Sequence, residues 1–180
     1  MEKLPCSDKL FPFSAVCAER NAWRRAGRRV VLTNGCFDLL HPGHLLLLEQ
    51  AKALGDVLVV ALNADCSVRA LKGPSRPILG EELRAYALGC LRSVDRIFLF
   101  DGTRVAEEIH ALAPDIYVRA EDRTVANLNS AELMALRAVG TRIEFVPFLP
   151  SLSTTALVEK ICSTAGLARG SERLGEQNDR

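Results

Sequence analysis

No Cys-x-x-Cys pair occurs in this chain of 180 residues, and its six cysteines, Cys6, Cys17, Cys36, Cys66, Cys90 and Cys162, are scattered. That spacing excludes the common zinc patterns and the disulfide framework of small secreted domains. The cysteines read instead as reduced, small core residues. No apolar run approaches the roughly 18 residues that a membrane-spanning helix needs. The stretch from Met1 to Phe13 carries Lys3, Asp8 and Lys9 in place of a continuous signal core. The expected compartment is therefore the cytosol. Charge of one sign is also missing, since 23 basic and 22 acidic residues leave a net +1. A general nucleic-acid or membrane-surface binder would carry a basic excess. Finally, the chain has no G-x-G-x-x-G after its first apolar segment and no G-x-x-x-x-G-K-[ST], so neither a dinucleotide fingerprint nor a P-loop is supported.

What is present suits one domain large enough to bury a real core. Apolar residues make up 48% and charged residues 25%, an ordinary balance for a soluble protein. Ser14 to Ala26 predicts a helix with Ser14 as N-cap, an apolar stripe through Val16 and Trp23, and Gly27 as its stop. After it, apolar strands and helical segments alternate. Arg28 to Asn34, Asp56 to Asn63, Val94 to Phe100, Asp115 to Arg119 and Arg142 to Val146 read as strands. Gly43 to Leu54, Glu81 to Arg92, Thr103 to Leu112, Ser130 to Val139 and Ser153 to Cys162 read as helices. Ala64 to Leu71 reads as a crossover with room for a helical turn, and Lys72 to Pro77 as a loop rich in breakers. Val57 to Leu62 is apolar without alternation, as in a central parallel strand covered on both faces. The first turn of the Gly43 helix is apolar all round and predicts deep burial. The expected fold class is α/β, a Rossmann-like parallel sheet of about five strands with helices on both faces. Its ligand belongs beyond the carboxyl ends of the strands. Residues 1–27 form an extension, 28–165 the core domain, and 166–180 a polar tail expected to be disordered.

One stretch organises the rest: a strand, then Thr33-Asn34-Gly35-Cys36-Phe37-Asp38, then His41-Pro42-Gly43-His44 opening a helix. A helix N-terminus offers unpaired N–H groups and the positive end of its dipole, so it favours anions. Gly43 permits close approach, and Pro42 fits the first turn. Imidazoles three residues apart can point at one bound anion. The arrangement reads as a phosphate site with two added donors.

Gly-x-Phe-Asp followed at a short interval by His-x-Gly-His resembles the HxGH nucleotidyltransferase superfamily, also called cytidylyltransferase-like, and the resemblance runs from about Gly27 to Ile161. Such proteins join a nucleotide to a phosphate-bearing acceptor. Within it, Leu71-Lys72-Gly73-Pro74-Ser75-Arg76-Pro77 looks most like the D-glycero-β-D-manno-heptose 1-phosphate adenylyltransferases. The resemblance implies transfer of AMP from ATP to a sugar 1-phosphate, with Mg2+ held mainly by phosphates and water. It implies no nucleic-acid or membrane partner, and a homodimer is common in similar proteins. Alternatives are a cytidylyltransferase for an alcohol phosphate such as glycerol 3-phosphate, a flavin-nucleotide synthetase, or a non-catalytic nucleotide-binding domain.

The resemblance also suggests roles. His41, His44 and Lys72 would be catalytic, stabilising charge on the transferring phosphates. Thr33, Asn34, Gly35, Cys36, Phe37, Gly43, Arg119, Asp122, Ser153, Thr154 and Thr155 would hold the nucleotide. Asp38, Asp65 and Arg76 would face the acceptor. Arg84, in a Glu-x-Arg setting, reads equally well as half of an ion pair. One departure stands out. Arg119-Ala120-Glu121-Asp122-Arg123 occupies a place where relatives usually read Lys-Gly-Gly-Asp-Tyr, so only Asp122 matches.

Overall fold

The computed structural model describes residues 6–120, 127–147 and 153–164. Its elements, in chain order, are α1 (Phe13–Arg25), β1 (Val30–Gly35), α2 (Pro42–Ala53), β2 (Val57–Asn63), α3 (Asp65–Lys72), α4 (Glu81–Gly89), β3 (Arg96–Phe100), α5 (Ala106–Leu112), β4 (Ile116–Ala120), α6 (Ser130–Ala138), β5 (Arg142–Val146) and α7 (Thr154–Thr164). The strands form one sheet in the order β3-β2-β1-β4-β5, and every pairing is parallel. The α/β class and the five strands therefore match the sequence expectation.

Side chains alternate across the pleat, and the buried residues sort accordingly. Val30 and Leu32 of β1 and Val57, Val59 and Ala61 of β2 pack with Val16 and Trp23 of α1, Ile109 and Leu112 of α5, and Leu136 of α6. Val31, Leu58, Val60 and Leu62 face the other way, against Leu48 and Ala51 of α2 and Ala85 and Leu88 of α4. The N-terminal helix is thus a packing element. Phe13 meets Phe98 at 4.7 Å between ring centroids, and Arg20 pairs with Asp115 at 3.0 Å. Before it, Leu10 bridges Ile97 along the outer edge of β3.

Several local readings change. Pro12, not Ser14, precedes the first helical residue of α1. Proline's fixed φ and missing N–H suit a helix start. Residues 65–72 form a full helix rather than a crossover, because Ser67 and Val68 turn inward while Gly73, at φ +95°, supplies the stop. The α2 start is less buried than its four leucines suggest: Leu48 is fully buried, but Leu45 is 38% exposed. Cys6, Cys66 and Cys90 are exposed and are not core residues, whereas Cys17 packs against the core and Cys36 and Cys162 are half-buried. All remain free thiols. The expected tail at 166–180 and the segment containing Glu121, Asp122 and Arg123 lie outside the described residues. Among the described residues no helix is long and apolar enough to cross a membrane.

The topology places one crevice. From β1 the chain steps outward through β2 to β3, then returns to β4 on the other side of β1. β1 is in register with β4 only at Val31–Ile116 and Leu32–Tyr117. Beyond that point the two strands part at their carboxyl ends. The Thr33 hydroxyl still donates to the Val118 carbonyl at 3.0 Å, and the Tyr117 hydroxyl donates to the Asn34 side-chain oxygen at 2.7 Å.

Candidate active site

The turn after β1 carries the chain into α2 through a tight bend. Phe37 has φ +45°, and its ring is buried. A side chain at Gly35 would bring its first carbon to 3.0 Å from that ring, so glycine leaves the bend room to close. His41 is extended and serves as the N-cap residue, with Pro42 first in the helix. The His41 carbonyl accepts from the N–H groups of His44 at 2.8 Å and Leu45 at 3.2 Å. In that geometry the Gly43 N–H has no intrahelical acceptor. The His41 and His44 rings stack, with centroids 3.7 Å apart and planes at 26°, and the Phe37 ring packs at 5.2 Å from His44.

Both imidazoles keep a buried Nδ1 with no hydrogen-bond partner. Burial, followed by the nearby His41 and Lys72, pushes the His44 imidazole down to about 4. Burial also lowers His41. Two neutral, underused imidazoles therefore stack at the positive end of a helix. A bound anion reverses the electrostatics, because it favours the protonated ring and its two donors.

A cavity of about 720 Å³ opens above them at the carboxyl ends of the strands. Thr33, Asn34, Gly35, Cys36, Phe37 and Asp38 form its floor, and Gly43 and the two histidines one wall. Lys72 enters from the last position of α3, and Arg119 from β4. Arg119 is steadied by the side-chain oxygen of Asn34, which accepts from it and from Tyr117. Ser153, Thr154 and Thr155 line the rim at the start of α7. The Ser153 hydroxyl caps that helix by accepting from the Ala156 N–H at 3.1 Å. The Cys36 thiol is pushed up by burial, which Lys72 and Arg84 oppose only in part, so it does not supply a ready thiolate.

At and behind the cavity floor lies a set of ion pairs. The Asp38 carboxylate is fully buried and accepts from Arg76 at 2.8 Å and from the N–H groups of Ile78 at 2.7 Å and Leu79 at 3.1 Å. Burial would raise its pKa, but those donors together hold it below the usual carboxylate value. Asp65 and Arg76, expected on the acceptor side, do not line the cavity. Asp65 holds Arg84 at 2.7 Å, and Arg76 is turned toward Asp38. Arg84 is the ion-pair residue that its setting allowed.

Sequence reasoning missed the far wall. Thr103, Arg104, Asn127, Asn129 and Glu132 line the cavity there. Thr103 and Arg104 follow β3 directly, so the rule that ligands lie past strand ends could have marked them. The Asn-x-Asn before α6 was also visible: Asn129 caps that helix, accepting from Ala131 at 3.0 Å. Glu132 carried no signal, because its partner lies 27 residues away.

Among the described residues no group of His, Cys, Asp and Glu could hold a metal ion by itself. The carboxylates of Asp38 and Asp65 are already engaged by arginines. A magnesium ion that arrives already bound to phosphates needs no such cage.

Residues 32–161 match the cytidylyltransferase-like family. The chain belongs to that family. Its HxGH segment sits where β1 passes into α2. This cytidylyltransferase-like chain is 49% identical over 138 residues to the bifunctional protein HldE of Koribacter versatilis, covering 77% of the chain and 28% of HldE. HldE of Azorhizobium caulinodans is 49% identical over 144 residues, covering 80% and 30%. HldE of Gluconobacter oxydans is 44% identical over 158 residues, covering 88% and 33%. The chain thus spans about a third of the length of these curated relatives. Among solved structures, a lipopolysaccharide core biosynthesis protein from Thermoplasma volcanium shares 31% identity with a TM-score of 0.55, covering 68% of this chain and 98% of its own.

Proposed function

We propose that this nucleotidyltransferase moves AMP from ATP to a sugar 1-phosphate, D-glycero-β-D-manno-heptose 1-phosphate by preference, releasing pyrophosphate. One observation carries the reading: two stacked imidazoles, each with an unpartnered Nδ1, at a helix N-terminus, in a cavity that Lys72 and Arg119 also line. That wall suits several phosphates at once. The heptose assignment rests on the resemblance of the segment 71–77, and the structural neighbour's name, which refers to lipopolysaccharide core biosynthesis, is consistent with a sugar-nucleotide product.

An acceptor phosphate oxygen attacks the α-phosphorus of ATP, a new P–O bond forms, and the bond to the β-phosphate breaks. A phosphate monoester is already a nucleophile near neutral pH, so no serine or cysteine nucleophile is needed. His41, His44 and the Gly43 N–H hold the phosphates and stabilise the charge that builds as the bond breaks. Lys72 neutralises the phosphate that moves or departs. Arg119, Ser153, Thr154 and Thr155 position the nucleotide, and Gly35 to Phe37 let it approach the backbone. A magnesium ion bound through the triphosphate would supply further positive charge there. Asp38 and Arg76 act from below, by fixing the segment that follows Lys72.

Pyrophosphate release measured with ATP and CTP, each against the heptose 1-phosphate, glycerol 3-phosphate and flavin mononucleotide, tests this. Transfer is expected with ATP and the heptose phosphate. Faster transfer from CTP to glycerol 3-phosphate would overturn the choice of both substrates. Adenylyl transfer to flavin mononucleotide alone would point to the flavin pathway.

A further inference from the structure

We propose that Asn34 is a positioning residue, a neutral anchor that aims the Arg119 guanidinium at a phosphate and leaves its charge intact. The inference rests on the phosphate-transfer reading above and deepens it, by having Asn34 act through Arg119 and not on the substrates directly. Asn34 of β1 and Arg119 of β4 both lie past Leu32–Tyr117, the last pair in register between those strands. Side chains make the connection there. Arg119 Nη1 donates to the Asn34 side-chain oxygen and, at 3.3 Å, to the Asn34 backbone carbonyl. The Tyr117 hydroxyl donates to the same side-chain oxygen at 2.7 Å. A guanidinium has donors only, so the amide must turn its oxygen toward Arg119. The second donor, from Tyr117, holds the amide in that sense.

The anchor carries no charge, and this sets Arg119 apart from its neighbours. Arg76 and Arg84, beside the same crevice, are each matched by a carboxylate, at 2.8 and 2.7 Å. Among the described residues Arg119 meets only the two Asn34 oxygens, although it is half-buried and lines the cavity. A carboxylate at position 34 would hold the guanidinium at least as firmly, but it would cancel the field that an arriving phosphate feels. The amide fixes the group by dipoles alone. A partly buried charge held this way costs free energy, and a bound phosphate offsets that cost. Only Nη1 is engaged among the described residues, which leaves Nε and Nη2 as a pair of donors suited to phosphate oxygens.

A double-mutant cycle tests this. Two constants are read: the affinity for MgATP, by titration calorimetry, and the KM for the heptose 1-phosphate, by pyrophosphate release. Arg119→Ala should weaken one of them roughly tenfold to a hundredfold, the loss typical of charge-assisted hydrogen bonds. Asn34→Ala should weaken the same constant by a smaller factor, and add nothing in the Arg119→Ala background. Asn34→Asp should hold or raise the melting temperature and still weaken that constant, which a merely structural Asn34 would not do. Arg119→Ala without effect on either constant overturns the inference. So do alanine losses that multiply in full, because Asn34 then meets the ligand itself. If the Asn34 variants do not fold, Tyr117→Phe takes their place in the cycle: a loss that vanishes in the Arg119→Ala background supports the anchor, and one that is absent or persists there overturns it. A folded wild type that transfers to no sugar phosphate, yet binds MgATP with the Asn34–Arg119 coupling intact, sinks the heptose reading and leaves the anchor. Normal transfer with fully multiplying losses sinks the anchor alone.

Discussion

Arg84 and Lys72 lie within a few residues of the same crevice and are treated in opposite ways. Arg84 has no exposed side-chain surface and donates to the carbonyls of Cys36, Asn63 and Leu79 as well as to Asp65. It ties the ends of β1 and β2 to the starts of α3 and α4. Lys72 ends α3, faces the cavity, and has no hydrogen-bond partner or ion pair among the described residues. The same contrast separates the engaged carboxylate of Asp38 from the idle Nδ1 atoms of His41 and His44. Arg84 and Asp38, which hold the shape, are fully engaged, whereas Lys72 and the two Nδ1 atoms, which face the ligand, are not.

Breaking the holding layer should cost stability first. Arg84→Ala strands three carbonyls and a carboxylate, and removing one partner of a buried pair costs about 3–5 kcal/mol. A urea titration should show it as a large drop in midpoint, and a drop of less than about 1 kcal/mol would mean that water replaces the guanidinium. Breaking the facing layer should cost rate instead. His44→Ala should lower turnover roughly a hundred- to a thousandfold, ~3–4 kcal/mol of barrier, while melting almost normally. Normal turnover in a folded variant would remove the imidazole from the chemistry. Lys72→Ala should lose less, and in kcat more than in ATP affinity, if its charge matters most as the bond breaks. Weak binding with normal saturated turnover would assign it to ground-state binding.

The smallest effect is a slope in pH. An ordinary histidine titrates near 6.5, and folding pushes His44 down to about 4. Between those values the unfolded chain binds more protons than the native one. The stability present above about pH 6.5 is therefore lost as pH falls toward 4. His44→Gln should flatten the fall in melting temperature between pH 7 and pH 5. An equally steep fall would place the sensitive group elsewhere, with His41, lowered for the same reason, next in line.

The alternation of β1, α2, β2 and their successors was legible because each strand is an apolar run bounded by breakers. So was the phosphate turn, whose residues adjoin one another in the chain. Contacts across the sheet were not. Asp38 finds Arg76 across 38 positions and Asp65 finds Arg84 across 19, so neither ion pair could be read from the neighbouring residues. The α3 helix was hidden by its brevity and by the breakers that follow it. The cysteines misled because small apolar character predicts burial only on average, and Cys66 and Cys90 fall on helix and turn positions that face solvent.

The parting of β1 from β4 has a mechanical side. β1 and β2 stay in register over six residue pairs, and β4 and β5 over five, whereas β1 and β4 share two. The sheet is thus paired at its midline over two positions only, with α2 lying across β1, β2, β4 and β5 beneath the gap. A molecule that touches His44 of α2 and Arg119 of β4 adds a brace where the ladder stops. Its first effect is to quiet the strand ends there, which slows amide exchange from Thr33 to Gly35 before any bond is made or broken.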